Sequence, residues 1–222
     1  MARSGVRSFP SLTAASASAA SAAAAAFLLL SMIHVSVSGE TATLPWPEYV
    51  QIDSVSYAGS GCPPGSSEYV LSSNMSTLTL IFSNFTASTD GGIQERRKNC
   101  QLSVGLTFPL GWSYSVGNIT SRGFAALDAG VRGLHRTSFY YSGMPGTAHA
   151  TLNMTGPFDG NYEVTDTLDA VMYSPCGTFR NLNLNTEVRV DDGVSNGQGI
   201  MTVDSTDLRF RLIFTIMWKK CD

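Results

Sequence analysis

Apolar and polar residues alternate with a period of two along almost the whole chain after residue 40, and helical spacing of apolar residues is nearly absent. Side chains on an extended strand point to opposite faces in turn, so each alternating run predicts a half-buried strand. The clearest run closes the chain: Leu208, Phe210, Leu212, Phe214, Ile216 and Trp218 alternate with Arg209, Arg211, Ile213, Thr215, Met217 and Lys219. Similar runs cover 77–83, 100–108, 112–116 and 181–190. Weaker ones cover 50–57, 131–141, 148–154, 162–173 and 199–203. Turn-forming groups stand between them, among them Pro63-Pro64-Gly65, Asp90-Gly91-Gly92, Met144-Pro145-Gly146, Asp159-Gly160-Asn161 and Asp192-Gly193. About ten short strands with frequent turns predict an all-β chain, folded as a single antiparallel, jelly-roll-like β-sandwich. No repeat and no linker divides it, so one domain is expected over residues 49–222, preceded by an arm at 40–48.

The first 39 residues follow another rule. Arg3 and Arg7 are followed by an Ala/Ser-rich run, the apolar stretch Phe27–Ile33 and then the small residues Ser36-Val37-Ser38-Gly39. Basic, apolar and small, in that order, predict a secretory signal peptide over 1–39, cleaved before Glu40. A transit peptide is disfavoured by the two arginines and the compact Leu cluster. The apolar core is shorter than the roughly 20 residues of a spanning helix, and no later run approaches that length, so no transmembrane anchor is expected after cleavage. Secretion to the extracellular space is the expected localisation.

Composition sharpens this picture. Charged residues make up 14% of the 222-residue chain, against roughly 25% in an ordinary soluble domain. The formal net charge is −3, which excludes nucleic-acid binding through a broad basic face. Cys62, Cys100, Cys176 and Cys221 all follow the leader. An even count behind a signal peptide predicts two disulfides with three possible pairings, of which Cys62–Cys100 with Cys176–Cys221 is favoured. No CxxC pair suggests zinc or redox chemistry. Four N-x-S/T sequons at Asn74, Asn84, Asn118 and Asn153 are candidate glycosylation sites, each required to face solvent if used.

Catalytic motifs are absent. There is no G-x-S-x-G elbow, and His135 and His149 lack a motif and are expected at the surface. Glu163, Asp166, Asp169, Asp204 and Asp207 are candidates by composition for a glycosidase carboxylate pair, though polar loops carry such acids routinely. Asp159-Gly160-Asn161-Tyr162-Glu163 has alternating oxygen ligands but departs from a calcium-loop pattern, so no metal and no cofactor is expected. Arg96-Arg97-Lys98 is expected as a solvated loop tip, its sharper reading being a contact for an anionic glycan. Asn181, Asn183, Asn185 and Glu187 share one face of a predicted strand. Such a row can bind sugar hydroxyls or simply be the wet face of an antiparallel strand. Trp112, Tyr114, Tyr140 and Tyr141 could offer a stacking platform, although aromatics at strand spacing more often pack in the core.

An ordered set of short segments resembles one family. It comprises Gly61-Cys62-Pro63, Leu78–Ser83, Asn99-Cys100-Gln101-Leu102, Gly111-Trp112, Arg122-Gly123-Phe124, Leu127–Gly130, Tyr140–Gly143, Ser174–Gly177, Asn183–Glu187 and Trp218–Cys221. Together they are similar to the domain of unknown function 4360 family of small secreted proteins, over about residues 50–222. The resemblance implies secretion and retention of all four cysteines, and it carries no catalytic residues.

The expected function is therefore binding of extracellular or cell-wall glycan by a disulfide-stabilised sandwich, with extracellular glycan or protein as the partner. A secreted carboxylate-dependent hydrolase and a structural or protein-interaction module are the alternatives, and the sequence leans against an enzyme.

Overall fold

The computed structural model describes residues 46–203 and 211–222. The expected leader, most of the arm, Asp204 and Asp207 lie outside the described residues, as do Leu208–Phe210 at the start of the last predicted strand. Twelve strands are described: β1 Gln51–Ala58, β2 Ser67–Leu71, β3 Thr77–Phe82, β4 Thr86–Ser88, β5 Arg97–Thr107, β6 Trp112–Leu127, β7 Arg132–Tyr141, β8 Ala148–Thr155, β9 Phe158–Thr167, β10 Leu182–Asp191, β11 Gly199–Thr202 and β12 Arg211–Lys220. They form two antiparallel sheets packed as a sandwich. One has five strands in the order β1-β5-β10-β7-β8; the other has seven, in the order β2-β3-β12-β6-β11-β4 with β9 on β6.

The alternation in sequence becomes the two faces of each sheet. Leu182, Leu184, Val188 and Val190 of β10 are buried, as are Leu102 and Val104 of β5 and Phe139 and Tyr141 of β7. They meet Leu78, Leu80, Ile119, Leu212, Phe214 and Ile216 from the other sheet. Each fully buried side chain of this size contributes about 1.5–3 kcal/mol. Cys62 is bonded to Cys100 and Cys176 to Cys221, with Cα–Cα distances of 5.5 and 6.0 Å. The first bridge pins the β1–β2 connection to β5; the second ties the segment before β10 to the chain end.

Three local expectations are corrected. β6 runs on to Leu127, well past the Trp112–Val116 alternation, because its inner positions Ser121, Gly123 and Ala125 are small and hide the apolar signal. Gly123 is required by a close approach: a Cβ there would lie 2.0 Å from the Thr202 carbonyl oxygen and 2.5 Å from the Tyr162 ring. Asp159-Gly160-Asn161 is not a turn but part of β9, which follows a turn at the cis Gly156–Pro157 bond. β9 also stops at Thr167, so the strand expected to reach Tyr173 gives way to an irregular segment leading to β10.

His135 is corrected as well. It is 2% exposed, not at the surface. Its parity on β7 places it with Thr137 and Phe139 on the inner face, where its Nε2 lies 3.0 Å from the Thr186 hydroxyl. Burial pushes the imidazole pKa down to about 4.

Candidate functional site

The outer face of the five-stranded sheet is a polar wall. Register aligns its rows. Ser56, Ser103, Asn183 and Tyr140 form one; Ala58, Gln101, Asn185, Ser138 and His149 form the next; Asn99, Glu187, Arg136 and Thr151 form a third. Neutral hydroxyls and amides dominate because this face meets water while the opposite face of the same strands is apolar.

The four residues singled out on β10 and its entry do different things. Asn183 is 6% exposed. Its amide nitrogen donates to the Ser142 hydroxyl at 2.9 Å and the Asn181 carbonyl at 3.3 Å, so it braces the β7 exit loop. Asn181 donates to the Ser103 hydroxyl at 3.2 Å. Glu187 accepts from Arg97 Nε at 2.9 Å. Asn185 differs: its side-chain oxygen is buried and finds no hydrogen-bond partner among the described groups.

Asn185 and Glu187 line a depression of about 240 Å³ together with Arg136, Ser138 and His149. His149 is half-buried here, not a free surface side chain, and its Nδ1 is also buried with no hydrogen-bond partner among the described residues. Its backbone N–H donates to Asp169 Oδ1 at 2.7 Å. Two orphaned polar atoms among five lining residues are unusual, since such a group costs about 1–3 kcal/mol when left unsatisfied. A second depression of about 300 Å³ lies on β1 and β5, lined by Ser56, Tyr57, Ala58, Asn99, Gln101 and Ser103. The same face thus offers two adjoining polar hollows.

Arg136 and His149 were not singled out as site residues in the sequence. Each has the right parity on its strand, but only the pairing Ser138↔His149 and Arg136↔Glu187 brings them to Asn185. No local motif encodes that pairing.

The aromatic platform is dispersed. Tyr114 and Tyr141 are core residues in edge contact at 5.4 Å, with the Tyr141 hydroxyl donating to the Tyr114 carbonyl. Burial raises the pKa of both phenols. Trp112 lies under Lys220. Tyr140 alone of the four stands on the polar face, where its hydroxyl accepts from Gln101 at 3.2 Å.

The charged candidates are largely committed. Arg96 pairs with Asp192, Arg97 with Glu187 and Lys98 with Glu95, so the basic cluster is neutralised in place. The Arg96 pairing holds the Asp192 carboxyl below its ordinary range. Glu163 pairs with Arg122. It stands three positions from Asp166, on the opposite face of β9, where partial burial raises the Asp166 pKa. Asp159, Asn161 and Glu163 spread along an extended strand instead of curling round an ion. No cluster of three or more metal-ligating side chains occurs among the described residues. A larger hollow, about 550 Å³, lies elsewhere, around Asp128, Phe158, Asp159 and Ile200; there the Asp128 carboxylate already accepts the Gln198 N–H at 2.8 Å. All four sequon asparagines are exposed, Asn153 on the same face as the polar wall. No helix among the described residues is long and apolar enough to cross a membrane.

Comparisons with known proteins place this geometry in context. A protein of Arthroderma benhamiae, described as an uncharacterized secreted protein, is 37% identical over 181 residues, covering 80% of this chain and 74% of its own. A solved structure of TmCBM61 in complex with beta-1,4-galactotriose aligns over 76% of this chain and 90% of its own, at 10% identity and a TM-score of 0.26. At that score the likeness carries no argument about site or ligand. The model of the Domain of unknown function (DUF4360) matches residues 48–221, the whole of the β-sandwich, and the chain belongs to that family.

Proposed function

We propose that the protein is secreted and binds extracellular glycan on the outer face of its five-stranded sheet, at the hollow formed by Arg136, Ser138, His149, Asn185 and Glu187. The observation that carries this reading is the pair of buried, unpartnered polar atoms, Asn185 Oδ1 and His149 Nδ1, in residues lining one depression. Sugar hydroxyls both donate and accept, so one ring can serve an amide oxygen and an imidazole nitrogen at once. The surrounding Ser56, Gln101, Ser103 and Ser138 offer further partners along β1, β5 and β7. Two disulfides and a secreted relative support the compartment. The exposure of Asn74, Asn84, Asn118 and Asn153 supports glycosylation at those positions.

A screen of cell-wall polysaccharides by affinity electrophoresis tests the reading. Retardation by at least one glycan is expected. Asn185→Ala with His149→Ala should weaken it by about tenfold or more, as loss of one or two hydrogen bonds to ligand implies. Asn183→Ala reports the fold, because its amide braces the loop at Ser142. Unchanged retardation in the Asn185/His149 variant would remove the site from this face.

A further inference from the structure

We infer that the ligand of this face is anionic: a glycan carrying a carboxylate, received by Arg136. This rests on the glycan-binding reading above. Four arginines stand on the outer face of the five-stranded sheet. Arg97 is bonded to Glu187, and Arg132 and Arg189 both lie within ion-pair distance of Asp191. Arg136 has no carboxylate within ion-pair distance among the described residues, and it is exposed.

The reason is a choice made by Glu187. Register sets it directly opposite Arg136 on the neighbouring strand, where a cross-strand ion pair would be natural. Its carboxylate turns the other way, to Arg97 on β5. One acid therefore stands between two guanidinium groups and serves one of them. On this face the four arginines meet Glu187 and Asp191, while Asp53 accepts from the Thr107 hydroxyl and Asp169 from the His149 backbone N–H; Arg136 is the one arginine of the four with no carboxylate within ion-pair distance among the described residues.

The neighbours of Arg136 fit the same ligand. Ser138, His149, Asn185 and Glu187 line the hollow with it, the Glu187 carboxylate being already bonded to Arg97. A guanidinium presents parallel N–H donors that match the two oxygens of a carboxylate. A uronic-acid ring offers both parts at once: its carboxylate meets Arg136 and its hydroxyls meet Asn185 and His149. A neutral hexose would leave the guanidinium without its anion. Sulfate esters share the charge but present different oxygen geometry, so they form a separate arm of the test.

The experiment is titration calorimetry of the protein with oligogalacturonate, its methyl ester, a sulfated galactan and a neutral galactan. Wild type should bind the free acid about tenfold or more tightly over its ester, with affinity falling as salt rises. Arg136→Gln should erase that preference, bringing free-acid affinity down to that of the ester, and Arg136→Lys should restore part of it. Being exposed, Arg136 can be replaced without disturbing the core. Equal binding of acid and ester by wild type, a preference that survives in Arg136→Gln, or tighter binding of the sulfated galactan would overturn the carboxylate proposal and leave the glycan reading standing. Failure to bind any of the four by a folded protein would overturn both.

Discussion

Removing the Cys62–Cys100 bridge, as a Cys62→Ala, Cys100→Ala double variant, is expected to lower the unfolding free energy by about 3–4 kcal/mol through chain entropy alone. The bridge closes a segment of 38 residues and the Cys176–Cys221 bridge one of 45. Chain entropy grows only with the logarithm of that length, so the two removals should cost nearly the same by this route. Packing separates them. Cys62 and Cys100 are both 0% exposed, in a part of the core where Phe82 and Phe85 meet edge to face at 5.0 Å. Loss of two sulfurs there leaves a cavity worth about 1 kcal/mol more. Cys176 is exposed and Cys221 half-buried, so their removal opens no comparable void. Urea unfolding of both double variants should place the Cys62/Cys100 pair lower. A larger loss from Cys176/Cys221 would contradict this account of the core.

The second large effect is acid destabilisation through His135. An unfolded imidazole takes up its proton near pH 6.5, whereas burial holds the folded one neutral down to about pH 4. Between those values the unfolded state binds a proton that the folded state refuses. Stability is therefore fully present above pH 6.5 and falls as the pH drops towards 4, by about 3 kcal/mol over the window. The Asp192–Arg96 pair adds acid sensitivity of its own, because that carboxyl is held low in the fold. The comparison must therefore be of slopes. Urea midpoints of wild type and His135→Gln at pH 7 and pH 4 should show a clearly smaller acid loss in the variant. Equal losses would mean that His135 is protonated inside the fold.

Strand after strand was legible from alternation, above all β3, β5, β10 and β12, where one face is bulky and apolar and the other polar. Legibility failed where side-chain size replaced polarity as the signal. The second half of β6 turns Ser121, Gly123 and Ala125 inward because Tyr162 crosses over Gly123. β2 and β4 are short and carry only a few alternating residues. His135 could have been placed by its parity with Phe139, but a histidine inside a sandwich runs against its ordinary cost of burial. Thr186 and Thr137 make it tolerable by hydrogen bonding to it.

The candidate site shows a different limit. The row on β10 was visible as Asn181, Asn183, Asn185 and Glu187, yet its members looked equivalent. Only the fold shows that Asn183 braces a loop and Glu187 serves Arg97, while Asn185 keeps a free acceptor. Arg136 and His149 reach it from strands far away in sequence. Pairing between distant strands is set by the packing of the whole sandwich and leaves no local trace.

The central claim is that ligand is bound by the outer face of the five-stranded sheet, and amide chemical-shift mapping during titration with oligogalacturonate tests it most directly. Shifts should concentrate at Arg136, Ser138, His149 and Asn185 and spread to Gln101 and Ser103 on β5. Shifts confined to the outer face of the seven-stranded sheet, at residues such as Asn161, Thr165 and Ile213, would contradict it.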